Sequence, residues 1–170
     1  SRAPPSSKTP TQPKLKDPRR HARIAKVLKR AEVRQLLTDW EVETFMTQGS
    51  VGDVYRVKRK NTRPVRAYYV LKITEVLKGS TINVSQEAES QVRFAPYAPA
   101  VYFHGKWGEL TTDAYLYGFI VMEHVVGTLN DFLARPAGDT LYGDTAVNIC
   151  AQMVDMFQFM YDNQYVHGDL

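Results

Sequence analysis

A lysine stands in the middle of a run that otherwise reads as a buried strand, Tyr68-Tyr69-Val70-Leu71-Lys72-Ile73. Aromatic and β-branched side chains favour a pleated, packed backbone, so this run commits the chain to a sheet with apolar cover. An ammonium in such a place is costly unless it finds a partner. Two placements answer the cost: an edge position with the head reaching water, or an interior position facing an anion. The neighbouring segments extend the sheet. Trp40–Phe45 alternates, Val54–Val57 follows a glycine-bearing turn, and Val101–Phe103 and Tyr117–Met122 are two further strands. Residues 83–94 read as a helix. The order β-β-β-α-β-β, followed by helices, predicts an α+β fold: a twisted antiparallel sheet with one helix beside it. No internal repeat is evident. Towards the end, Asp144 is placed to cap a long helix in which Val147, Cys150, Val154, Phe157 and Tyr161 share one apolar face, with Cys150 in the core.

At 170 residues the chain is long enough for a sizeable core. Its net charge of +4 conceals an asymmetry. Residues 1–38 hold 11 Lys/Arg against two acids, a balance of +9, and the other 132 residues balance at −5. Residues 1–19 carry five of the nine prolines among Ser, Thr and Lys, a composition that buries too little apolar surface to offset ordering, and we expect a disordered tail. Thr9-Pro10 within it has the form of a phosphorylation site. Residues 20–38 read as a basic amphipathic helix, with Ile24, Val27, Leu28 and Ala31 on one face and Arg23, Lys26, Lys29, Arg30 and Arg34 on the other. Such a helix either packs on the domain with a solvated basic back or docks on nucleic acid, an acidic protein or an anionic membrane surface. No stretch approaches the roughly 20 apolar residues of a transmembrane segment. Residues 1–19 contain no apolar run of the kind a secretory signal needs. The single cysteine, Cys150, allows no internal disulfide, which fits a reducing compartment.

Three patterns carry chemistry. In Thr47-Gln48-Gly49-Ser50-Val51-Gly52-Asp53-Val54, two glycines three apart would let a backbone approach phosphate oxygens, or simply make a hairpin. The lysine of the apolar strand follows twenty residues later. The chain then closes on Val166-His167-Gly168-Asp169-Leu170 after its long helix. Gly49, Gly52 and Val54 match the second glycine, third glycine and valine of the kinase loop G-x-G-x-x-G-x-V, with Thr47 in place of the first glycine. Taken in order with Lys72, the Ser85–Ser90 segment, Ile120–Leu129 and H-x-D, residues 40–170 resemble the protein kinase-like superfamily, covering the small lobe and the opening of the large one.

The resemblance implies the remaining assignments. Lys72 would meet the α/β-phosphates of ATP and a glutamate, Glu87 by preference and Glu89 in reserve; Gln91 stands where the family usually has an apolar side chain. Gly49, Ser50, Gly52, Val54 and Val70 would cover the nucleotide, with Met122 as gatekeeper. Glu123 and Val125 would present a carbonyl and an amide to the adenine edge. Asp169 would orient the substrate hydroxyl and His167 brace its loop. Gly168 replaces the arginine of H-R-D, as in vaccinia-related and viral protein kinases and in small-molecule kinases similar to aminoglycoside and choline phosphotransferases. The implied function is an ATP- and magnesium-dependent serine/threonine protein kinase acting on a protein substrate. The alternatives are a small-molecule phosphotransferase and a non-catalytic scaffold, such as a virion component, docked through residues 1–38. The implied divisions are tail 1–19, helix 20–38, small lobe 39–126 and the start of the large lobe 127–170. The family's magnesium ligands and the large-lobe floor of its adenine site would lie beyond Leu170, so the 170-residue chain alone is expected to bind ATP weakly at best and to transfer no phosphate. The resemblance and the cysteine usage together point to an intracellular protein of cytoplasm or nucleus, or of a virion.

Overall fold

The structure is a computed structural model, and it describes residues 15–62, 68–95, 97–109, 115–125 and 143–165. Backbone contacts divide the chain into two units, Ser1–His124 and Val125–Leu170. In the first unit, helices α1 (Pro18–Val27) and α2 (Ala31–Leu36) precede strands β1 (Trp40–Gln48), β2 (Gly52–Arg59) and β3 (Tyr69–Val76). Helix α3 (Val84–Arg93) and strands β4 (Val101–Trp107) and β5 (Leu116–Glu123) follow. The five strands form one antiparallel sheet in the order β1-β2-β3-β5-β4. The α+β class and the antiparallel sheet read from the sequence are both present. β3 is central, so Lys72 is not on an edge. Its cross-strand partners are Val54 and Ile120.

Period-two alternation splits the sheet into two faces, each with its own core. Leu71, Ile73, Tyr117, Phe119 and Val121 point to one side, where they pack with Tyr55, Val57 and Trp40. Val70, Val76, Ile120 and Met122 point to the other, where Val84 and Ala88 of α3 cover them. Asn83 caps α3 by accepting from the Gln86 amide at 3.3 Å. Gly118 admits that helix: a Cβ there would stand 2.2 Å from the Val84 side chain. Along the exposed β1–β2 edge, Arg56 pairs with Glu43 at 3.0 Å and Lys58 with Glu41 at 3.2 Å, worth only some tenths of a kcal/mol apiece.

The basic segment 20–38 is not an appended helix. It forms two helices, and the Ile24, Val27, Val33 and Leu37 side chains lie inside the first core, with Ile24 and Val33 fully buried. Of the predicted apolar face, Ile24 and Val27 are buried against the sheet and Leu28 is half-buried, whereas Ala31, beyond the break between the two helices, is exposed. Asp17 caps α1 by accepting from the Arg20 amide at 3.0 Å, with Pro18 in the first turn. That backbone bond also holds the Asp17 carboxyl below its usual range.

Two buried tyrosines of this core give a pH expectation. Burial, reinforced by Asp53 beside Tyr55 and Glu75 beside Tyr117, raises both phenol pKa values well above their ordinary value of about 10. The folded unit therefore keeps both protons while the unfolded chain loses them. Stability is fully present below pH of about 10 and falls above it, by up to roughly 1.4 kcal/mol per pH unit for each tyrosine. Urea midpoints measured between pH 9 and 11 should drop steeply on the alkaline side. Replacing both tyrosines by Phe should flatten the drop, and an unchanged slope in that variant would contradict the assignment.

In the second unit, the described residues form one helix, α4 (Gly143–Asp162). It begins one residue before the expected cap, Asp144. Its expected apolar face is exposed: Val147, Val154, Phe157 and Tyr161 have between 43% and 81% of their surface accessible, and Cys150 is exposed rather than in a core. Periodicity identifies such a face, but no described element of this unit lies on it. Only Met160 of this helix is buried. Of the expected tail at 1–19, residues 1–14 lie outside the described residues, while Pro18 and Arg19 already belong to α1 with Asp17 as its cap. The last residues of the Ile120–Leu129 segment, 126–129, and the H-G-D segment also lie outside the described residues.

Candidate functional site

The side of the sheet covered by α3 gathers most of the residues singled out above. Lys72 projects from β3 to this side and forms an ion pair with Glu87 of α3, both groups being partly buried. Glu87 and Ala88 are consecutive in α3, so the turn that buries Ala88 against the sheet also carries Glu87 to it. Glu89 is exposed. This explains how a central strand tolerates the ammonium: it has an anionic partner and a share of solvent. Val54 stands directly across β2 from Lys72, and Val70 pairs with Met122 across β3–β5. Val54, Val70 and Met122 thus form an apolar patch beside the ion pair. Gln91, one helical turn after Glu87, sets its amide nitrogen 3.9 Å from the Met122 sulfur, and its carbonyl oxygen is buried without a hydrogen-bond partner. Glu123 and Val125 are exposed at and just beyond the end of β5. The Glu123 amide donates to the Ala100 carbonyl at 2.8 Å.

The glycine turn joins β1 to β2 at one end of this patch. The Gly49 amide donates to the Gly52 carbonyl at 2.8 Å, closing it. Gly49 and Ser50 are exposed, whereas Gly52 is buried against β3. A Cβ at Gly52 would fall 2.0 Å from the Ile73 carbonyl oxygen. The strand pairing itself therefore demands glycine at 52. At Gly49 the nearest obstacle to a Cβ is 3.7 Å away.

On the opposite side, α1 grips the turn through a buried polar network that sequence reasoning did not anticipate. The Gln48 side chain accepts from the Asp17 amide at 2.5 Å and donates to its carbonyl at 3.0 Å. It also donates to Asp53 at 2.8 Å. Asp53 is fully buried and accepts from His21 Nδ1 at 2.6 Å, with Arg20 Nε at 3.8 Å. The Arg20 guanidinium donates to the carbonyls of Gly49 at 2.6 Å and Ser50 at 2.5 Å. One turn on, Arg23 holds the buried Glu75 with two bonds of 2.7 and 2.9 Å, and the Tyr117 hydroxyl donates to the same carboxylate at 3.1 Å. A signal for Arg20 was present: positions 20, 24 and 27 lie on one helical stripe, so the face that buries Ile24 and Val27 extends back to it.

Chemically, the α3 side offers a cation held by a carboxylate, an apolar platform beside it and a turn with exposed backbone, a combination suited to a ligand with a flat apolar part and an anionic part. Among the described residues, no three His, Cys, Asp or Glu side chains converge as a metal site, and no helix is long and apolar enough to cross a membrane. No protein-family model matches the chain, and no curated protein matches it.

Proposed function

We propose that the chain is the nucleotide-binding part of a kinase-like phosphotransferase, with ATP as donor and a protein hydroxyl as acceptor. The observation that carries this reading is the Lys72–Glu87 ion pair, set between the Val54, Val70 and Met122 patch and the glycine turn. In this reading the patch covers the adenine, Glu123 and Val125 meet its edge, and Lys72 binds phosphate oxygens while Glu87 keeps its ammonium in place. Asp169 orients the acceptor hydroxyl. Among the described residues no three His, Cys, Asp or Glu side chains converge to hold magnesium.

Lys72→Met keeps the apolar stem and removes the charge. A charge-assisted hydrogen bond contributes about 1.5–3 kcal/mol, so the variant should bind ATP roughly 10–100-fold more weakly than the parent chain while adenosine affinity holds. Calorimetric titration of both ligands reads this directly. Equal ATP affinity in the two proteins would sink the proposal.

The exposed cations Lys26, Lys29, Arg30 and Arg34 on α1 and α2 and around them favour an additional role, docking on an anionic partner such as a nucleic acid, an acidic protein or an anionic membrane surface. Polyanion binding should weaken steeply as salt rises, and binding indifferent to salt would exclude it.

A further inference from the structure

We propose, on the nucleotide reading above, that Arg20 is a positioning residue: it turns the glycine-loop backbone so that the Ser50 and Val51 amides are presented to phosphate. The argument is one of peptide geometry. In a trans peptide the C=O and the following N–H point in opposite directions. Arg20 draws the carbonyls of Gly49 and Ser50 towards α1. The N–H groups of Ser50 and Val51 belong to those same two peptide units, so they are directed away from α1. The side away from α1 is the one on which Lys72 and Glu87 lie, since Leu71 and Ile73 face the core that α1 enters and Lys72 alternates with them. Neither amide has a hydrogen-bond partner among the described residues, whereas the Gly49 amide is engaged by the Gly52 carbonyl. Two adjacent donors with no partner among the described residues, on the side of the sheet that carries the Lys72 ammonium, make an anion cradle.

The grip is built to last. Arg20 is itself buried, and its charge faces the fully buried Asp53 just after the turn. Gln48, just before the turn, ties the Asp17 backbone to Asp53. The turn is thus fixed at both stems and across its tip by one helix. Arg20 touches no phosphate in this scheme; it acts through the two peptide planes.

The test uses the full 170-residue chain, with ATP and adenosine as probes and ¹⁵N amide shifts as readout. In the unmodified protein, ATP should move the Ser50 and Val51 resonances and adenosine should not. Arg20→Lys keeps the charge beside Asp53 but cannot hold two carbonyls in a fork. Its preference for ATP over adenosine should fall about tenfold. Arg23→Lys, which loosens α1 at Glu75 without touching the turn, should retain that preference; an equal fall there would mean that Arg20 only steadies the helix. ATP binding that leaves Ser50 and Val51 unmoved would overturn the proposal even if Arg20→Lys failed to fold. If the unmodified chain binds neither ATP nor adenosine, the nucleotide reading itself fails and this role goes with it. ATP binding that depends on Lys72, with the two amides silent, removes the Arg20 role alone.

Discussion

Deleting residues 1–38 is expected to unfold the first unit rather than to release an arm. Ile24, Val27, Val33 and Leu37 are buried in the same core as Leu71, Phe119 and Val121. Losing each such side chain forfeits about 1.5–3 kcal/mol of burial and uncovers the sheet face beneath it. The deletion also strips Arg20 and His21 from Asp53, and Arg23 from Glu75, leaving two carboxylates uncompensated. Breaking one buried pair in this way costs about 3–5 kcal/mol. These losses are of the order of the whole stability of a domain, about 5–15 kcal/mol. Far-UV circular dichroism and urea titration of the truncated chain should show no cooperative transition. A milder form, Ile24→Ala, should cost about 2–5 kcal/mol. A truncated chain that still melts cooperatively would show that α1 and α2 are dispensable. Docking on a polyanion is therefore better tested by reversing Lys26, Lys29, Arg30 and Arg34, which are exposed and leave the core intact.

The elements of the first unit were legible because each obeys a local rule. Alternation in Trp40–Phe45 and β-branched or aromatic runs elsewhere placed all five strands, and the helix read over 83–94 matches α3 to within a residue at each end. The Lys72–Glu87 pairing was legible for a different reason: the kinase-like resemblance pairs the strand lysine with a glutamate of the next helix, whereas the residues alone left an edge placement with the ammonium in water equally open. Where legibility failed, the cause was tertiary. Arg20, His21 and Asp53 are charged or polar types that a sequence assigns to surface, and only the meeting of α1 with the β1–β2 turn buries Arg20 and Asp53 and sets the partly exposed His21 against them. The stripe of α1 showed which face is apolar, but not that the sheet receives it. The exposed stripe of α4 is the converse case, in which the period is correct and says nothing about what covers the face.

The two glycines of the turn should separate cleanly under substitution, because their reasons for being glycine differ. At Gly52 an added Cβ would stand 2.0 Å from the Ile73 carbonyl oxygen, 2.9 Å from its carbon and 3.0 Å from Thr74 Cα. All three are backbone atoms of β3, the strand paired with Gly52 through Thr74, so no side chain can rotate aside. Gly52→Ala must therefore pry β2 from β3 at the end nearest the turn, beside Asp53 and its buried network. The cost should reach the upper part of the roughly 1–3 kcal/mol range for overpacking, lowering Tm by roughly 10–20 °C. Gly49→Ala meets nothing closer than 3.7 Å, and Gly49 is not among the glycines at positive φ. Its stability should stay within about 0.5 kcal/mol of the parent. If phosphate approaches the turn as proposed, Gly49→Ala should still weaken ATP binding relative to adenosine, since the new methyl occupies exposed space at the turn. Thermal melts with the same two ligands decide the matter. Gly52→Ala melting like the parent would refute the close approach of β2 to β3. Gly49→Ala binding ATP as tightly as the parent would place the phosphates elsewhere on the sheet.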